Sequence, residues 1–250
     1  MPLSAVQTVE CFHLGFLAVL RTRLDEGRYV LKGGANLRYF FASVRYSEDI
    51  DLDVIGVPGW RLEEQIDKTL ASDALRIVLR AAGVSVLVDE ITKPKQTNTT
   101  RRWKIPVTAL GQRQPLRTKV ESSSRNDDDD RFGLDTVPSE IVRAYAMRPP
   151  SVQHYHLAPA TEQKVYALAG RAETQARDVF DLDLLFGRAP LEDGSVPAGV
   201  RKAAAEAGLA LPYEAFQDQV RPFLEPPIAA LYDEASWSQM QERVVTELLR

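Results

Sequence analysis

Two pieces of sequence decide the fold: Tyr29-Val30-Leu31-Lys32-Gly33-Gly34 and, a little further on, Arg45-Tyr46-Ser47-Glu48-Asp49-Ile50-Asp51-Leu52-Asp53. The first is a short run of strand formers stopped by two glycines. The second alternates acids with Ile, Leu and Val, and on a strand residues two apart point to the same side. Asp49, Asp51 and, beyond them, Asp53 therefore present carboxylates from one face, while Ile50, Leu52 and Val54 are expected in a core. Residues 35–42 suit one or two helical turns. The unit reads strand, glycine turn, helix, strand.

The chemistry follows from that arrangement. Neighbouring carboxylates repel unless a cation sits between them, and hard oxygen donors at this spacing suit Mg²⁺, which completes its shell with water and phosphate oxygens. A Gly33-Gly34 turn lets backbone N–H groups come close to a phosphate, and the helix after it adds its positive N-terminal end. Together these elements point to a metal–nucleoside triphosphate site. Spacing alone leaves open a solvated strand after an ordinary turn. Two-metal phosphoryl chemistry calls for a third acid on a neighbouring strand, and Leu116-Arg117-Thr118-Lys119-Val120-Glu121-Ser122 offers Glu121, in register with Lys119 and Arg117; a salt bridge of Glu121 with Lys119 or Arg125 is also open.

Working outward, residues 3–26 read as a helix, residues 60–82 as a second long helix and Val84 to Asp89 as a strand. Trp103 to Leu110 and Leu116 to Ser122 read as two more strands, the first made an edge strand or bulge by Pro106. From Pro138 onward strand signals disappear, and helical patterns cover about 139–147, 160–169, 173–186, 200–207, 213–224 and 228–249. The fold class expected is α+β: a mixed sheet with helices over residues 1–136, then an all-helical C-terminal domain over 137–250, with the boundary in the loop 122–138.

Composition sets limits. The chain has 250 residues, 44% hydrophobic and 26% charged, with a formal net charge of -4, which suits a globular protein with a real core. Its single cysteine, Cys11, cannot form an internal disulfide, and no stretch approaches the ~18 apolar residues of a membrane span, so a cytoplasmic protein without membrane contact is expected. The charge is unevenly distributed. Lys93, Lys95, Arg101, Arg102, Lys104, Arg113, Arg117 and Lys119 fall in one stretch without an acid, and the run Asp127 to Asp130 follows. The basic stretch leads into Glu121, as a phosphate-binding ramp beside the carboxylates would.

In the helical half, Asp178 and Asp181 are three apart on one helix face, after Arg177. Lys164 lies in Glu162-Gln163-Lys164-Val165-Tyr166-Ala167-Leu168. By themselves these residues read as structural. The ordered set Lys32-Gly33-Gly34, Arg45-x-Ser47-Glu48-Asp49-Ile50-Asp51-Leu52, Lys119-Val120-Glu121, Glu162-x-Lys164-x-x-Ala167-Leu168-x-x-Arg171 and Arg177-Asp178-x-x-Asp181-Leu182 resembles the nucleotidyltransferase toxin family that includes AbiEii and the MenT toxins, on a DNA polymerase β-like core. That resemblance implies Asp49, Asp51 and Glu121 as metal ligands and catalytic groups. It implies Lys164 with Asp178 and Asp181 as a second wall around the nucleotide, and places Lys32, Gly33, Gly34 and Ser47 on the nucleotide side.

The function implied is transfer of a nucleotide from an NTP, with Mg²⁺, to an RNA acceptor, the tRNA 3′ end in first place, with growth arrest as consequence and a separately encoded antitoxin as partner. Transfer to a protein or small-molecule hydroxyl, or nucleotide and RNA binding without catalysis, are the alternatives. Asn36 departs from the small hydroxyl residue more usual after the glycines, and Asp53 adds an acid to the Asp-x-Asp pair. Beyond Phe186 no family motif is found.

Overall fold

The computed structural model describes residues 2–97, 99–125 and 131–250; the acidic run Asp127 to Asp130 lies outside the described residues. The chain divides into two compact units, one running to Phe40 and comprising also Tyr46–Tyr155, the other made of Phe41–Arg45 and His156–Arg250.

The first unit begins with α1 (Ala5–Leu20), started by a capping box between Ser4 and Gln7. β1 (Tyr29–Lys32) runs straight into α2 (Gly33–Phe40), and β2 (Ile50–Ile55) follows. Then come α3 (Gly59–Leu70), α4 (Asp73–Arg80) and the strands β3 (Val84–Val86), β4 (Thr92–Gln96), β5 (Thr100–Ala109), β6 (Leu116–Arg125) and β7 (Phe132–Thr136). The short α5 (Ser139–Val142) and β8 (Ser151–Tyr155) complete it. All eight strands form one sheet in the order β3-β5-β6-β2-β1-β8-β7, with β4 also paired to β5. The β2–β6 and β1–β8 pairs are parallel and the rest antiparallel.

The alternation read from 49–54 holds: Ile50, Leu52 and Val54 are buried in the core with Trp103, Ile105, Val107 and Val120 from β5 and β6. α1 lies against that side and is buried along nearly its whole length, with Cys11, Phe12, Leu14, Phe16 and Leu17 fully enclosed. Burial pushes the Cys11 thiol up to about 12, which keeps it protonated and inert.

Several sequence expectations are corrected here. The long helix over 60–82 is two helices, because Ser72 caps the second by accepting from the Leu75 N–H. The strand expected over 84–89 stops at Val86 and gives way to a single 3₁₀ turn at Val88–Glu90. β5 is not an edge strand: β6 lies on one side, and β3 and β4 divide the other. Pro106 is tolerated because the N–H it lacks would point away from β6, to the side where Leu87, just past β3, donates to its carbonyl, so the β5–β6 ladder loses no bond. Strands also continue past Pro138, since β8 joins the sheet beside β1 with Leu31 opposite His154.

The second unit is helical, as expected: α6 (Leu157–Gly170), α7 (Ala176–Phe186), α8 (Ala198–Leu209), α9 (Tyr213–Gln219), α10 (Pro226–Ala229) and α11 (Glu234–Leu249). The helix read over 228–249 is broken at Asp233, which forms a capping box with Ser236. Its core gathers Val165, Leu168, Val179, Leu182, Phe216, Trp237, Met240 and Val244. Gln241 donates to the Gly208 and Leu211 carbonyls at 2.7 and 2.9 Å, satisfying the end of α8. No helix among the described residues is long and apolar enough to cross a membrane.

Candidate functional site

In the first unit, the sheet face opposite α1 carries the acids. Asp51 stands in register with Lys32 on β1 and with Glu121 on β6. Residues paired across neighbouring strands share a face, so Lys32, Asp51, Glu121 and, through the β5–β6 register, Arg102 form one row, with Lys104 opposite Lys119 in the next. The glycines meet the acids directly. Gly33 takes φ +68°, and a Cβ added there would lie 2.6 Å from Asp51 Oδ2. A side chain at this position is excluded by the backbone and by the carboxylate together, so α2 begins beside Asp51.

Asp49 sits just before β2. Its Oδ1 accepts from the Lys119 N–H at 3.0 Å and its Oδ2 pairs with Lys119 Nζ at 2.8 Å. Burial pushes the Asp49 carboxyl up to about 6, with Lys119 pulling the other way and Glu48 and Asp51 adding to the rise. Ser47, nearly buried, donates its hydroxyl to the Asp49 carbonyl at 2.8 Å and so braces the turn. Glu121 is paired with Arg102 at 2.5 Å, rather than with Lys119 or Arg125. Asp53 is buried and structural: Lys32 Nζ at 2.5 Å, the Tyr155 hydroxyl at 2.9 Å and Arg125 at 3.6 Å converge on it.

The donor chemistry of Asp49, Asp51 and Glu121 fits Mg²⁺ in kind, being hard oxygen on two paired strands. As arranged, no three Asp, Glu, His or Cys side chains among the described residues stand close enough to hold a metal ion. Lys119 and Arg102 occupy two of the acids.

The basic stretch splits by face. Arg101 points to the α3 side, where it pairs with Glu63 at 2.7 Å, and Lys93 pairs with Glu63 and Asp67 at 2.9 and 2.5 Å. Arg102, Lys104, Lys119 and Arg117 lie on the face of Asp51 and Glu121, with Lys95 opposite Arg102 on β4. Lys95, Lys104 and Arg117 are exposed and make no ion pair among the described residues.

Lys164, Asp178 and Asp181 belong to the second unit and are brought together there. Lys164 Nζ lies 3.0 Å from Asp178 Oδ1 and 2.6 Å from Asp181 Oδ2, Arg171 holds Asp178 at 2.8 Å, and Arg45 holds Asp181 at 2.8 Å. Both aspartates are fully buried. Burial opposes the Lys164 charge, yet Asp181 and Asp178 outweigh it and raise its pKa above the ordinary lysine value.

Sequence reasoning missed Tyr155, because β8 went unrecognised, and gave Arg45 no partner. Asn36, read as a departure, donates to the Tyr155 carbonyl at 3.1 Å and meets His154 Nδ1 at 3.0 Å. It fastens α2 to β8.

This sheet, with a glycine-led helix beside an Asp-x-Asp strand, is the fold of a nucleotidyltransferase. It is similar to the solved structure of MenT4, a nucleotidyltransferase toxin of Mycobacterium tuberculosis H37Rv, at TM-score 0.61 and 15% identity over 97% of this chain and 84% of that one. It is likewise similar to JHP933 of Helicobacter pylori, at TM-score 0.59 and 15% identity over 99% and 95% of the two chains. A third likeness, to a second solved structure from H. pylori, described as that of a nucleotidyltransferase, has TM-score 0.56 and 15% identity over 98% and 94%. The family model for the nucleotidyl transferase AbiEii toxin of type IV toxin–antitoxin systems matches residues 16–250, and the chain belongs to that family. No curated protein matches the chain.

Proposed function

We propose that this toxin nucleotidyltransferase moves a nucleotide from an NTP to the 3′ end of an RNA, tRNA in first place, and thereby blocks translation, with a separately encoded antitoxin as its counterpart. The observation that carries the RNA assignment is the set of exposed cations Lys95, Lys104 and Arg117 on the sheet face of Asp51 and Glu121. Such a row tracks a phosphate backbone.

Asp49 and Asp51, with Glu121 as the third carboxylate, would hold Mg²⁺. When bound there it would neutralise triphosphate oxygens and lower the pKa of the acceptor hydroxyl. Gly33 and Gly34 bring the first N–H groups of α2 to the phosphates, beside Lys32 and Ser47. Within the second unit Asp178 and Asp181 sustain the charge of Lys164, which suits the nucleotide role that the family resemblance implies for it. Most of the rate enhancement then comes from positioning and charge neutralisation.

The test is RNA binding by Lys95→Ala/Lys104→Ala/Arg117→Ala as a function of salt. The log–log slope should flatten by roughly 0.7 per lost contact, the single-strand value, while NTP affinity stays near wild type. Arg101→Ala, on the other face, should leave the slope unchanged. An unaltered slope in the triple variant contradicts an RNA acceptor and favours a protein or small-molecule hydroxyl.

A further inference from the structure

α1 carries one histidine in an apolar stretch, and it is fully buried on the core side of the sheet. His13 Nε2 lies 2.7 Å from the Thr118 hydroxyl oxygen on β6, and that hydroxyl donates to the Glu48 carbonyl at 2.8 Å. A threonine hydroxyl has a single proton. With that proton given to Glu48, the ring must donate from Nε2, so His13 is the neutral Nε2–H tautomer. Its Nδ1 is buried without a partner among the described residues, and burial pushes the imidazole down to about 3.

The chain reached by this relay is the turn that delivers Asp49. The parallel β2–β6 ladder pairs Ile50 with Val120 and begins there. One and two residues earlier, side chains replace the ladder: the Lys119 N–H donates to Asp49 Oδ1 at 3.0 Å, and the Thr118 hydroxyl takes the Glu48 carbonyl. The Glu48–Asp49 peptide is thus fastened through the sheet to α1. For packing alone a leucine would serve better, since a buried ring nitrogen without a partner costs free energy.

We propose that His13 is a positioning residue for the acidic site: its Nε2–H orients the Thr118 hydroxyl, which fixes the Glu48–Asp49 peptide and with it the Asp49 carboxylate. The inference rests on the role proposed above for Asp49.

Four variants test it. In His13→Gln the side-chain amide can donate where Nε2–H does; His13→Leu cannot; Thr118→Val keeps the shape and loses the hydroxyl; the fourth combines His13→Leu with Thr118→Val. Turnover of His13→Gln should stay within about twofold of wild type. His13→Leu and Thr118→Val should each lose about tenfold in kcat with KM for the NTP nearly unchanged, and the double variant about tenfold rather than a hundredfold, because both break one chain. Independently of activity, the ring nitrogens of His13 should report the Nε2–H tautomer, and both single variants should shift the backbone amide resonances of Asp49 and Ile50 alike.

Wild-type turnover in both single variants, a multiplicative loss in the double, or a Gln variant as impaired as Leu overturns the proposal. Should His13→Leu fail to fold, Thr118→Val decides. A wild-type protein inert toward every NTP and acceptor would sink the transfer reading by itself; the amide shifts would then settle the relay, and no common shift would refute it.

Discussion

Replacing Gly33 with alanine separates backbone strain from damage to the site. At φ +68° a side chain costs about 1–2 kcal/mol. The added Cβ would lie 2.6 Å from Asp51 Oδ2, against 3.4 Å for an ordinary contact, so the carboxylate must retreat by about 0.8 Å (3.4 less 2.6). A displacement near 1 Å at a reacting centre can cost on the order of 100-fold in rate. Gly111→Ala supplies the control: it sits at φ +88° with nothing within 4 Å of its added Cβ, so it carries the strain alone. Urea unfolding should show Gly111→Ala about 1–2 kcal/mol less stable and Gly33→Ala at least as much, with the clash added to the strain. Transfer of a labelled nucleotide should fall by one to two orders of magnitude in Gly33→Ala and stay near wild type in Gly111→Ala. Equal activity in the two variants would refute the claim that Gly33 is there to admit Asp51.

Asp181→Ala should destabilise the protein by about 3–5 kcal/mol, measured by urea unfolding, since it leaves Arg45 and Lys164 buried without their shared carboxylate. Burial works against the Asp181 charge, but Arg45 and Lys164 outweigh it and hold the pKa below 3.8, so this stabilisation is complete above about pH 4 and is lost as pH falls through the lower folded value. The gap between wild type and variant should therefore narrow only in acid. Asp49→Asn should do the reverse for stability: a carboxyl raised from 3.8 to about 6 costs on the order of 2–3 kcal/mol when ionised, so the metal-free variant should be more stable at pH 7 and the difference should vanish toward pH 4.

The alternation from Asp49 to Val54 was legible because one face of β2 is buried and the other is polar, which a two-residue period records directly. Glu121 was legible for the same reason, as its strand carries the same alternation. β4 and β8 were not. Thr92-Lys93-Pro94-Lys95-Gln96 is an exposed edge with no apolar face, protected by its lysines and proline, and Ser151-Val152-Gln153-His154-Tyr155 buries polar side chains as fully as apolar ones. The two faces of the basic stretch could not be told apart until the β5–β6 register placed Arg101 beside α3 and Arg102 beside Glu121. His13 left no signal at all, since a histidine inside an apolar helix looks the same whether it fills space or holds a hydroxyl.

The proposed function stands on Asp49 and Asp51 driving nucleotide transfer to RNA. The direct measurement incubates the protein with total RNA, Mg²⁺ and each α-labelled NTP in turn, beside Asp51→Asn checked for a native fold by circular dichroism. Label should appear in a discrete RNA band with at least one NTP, and be lost with Asp51→Asn and on chelation of the metal. Label that appears only in protein, or RNA labelling that persists in Asp51→Asn, would contradict it.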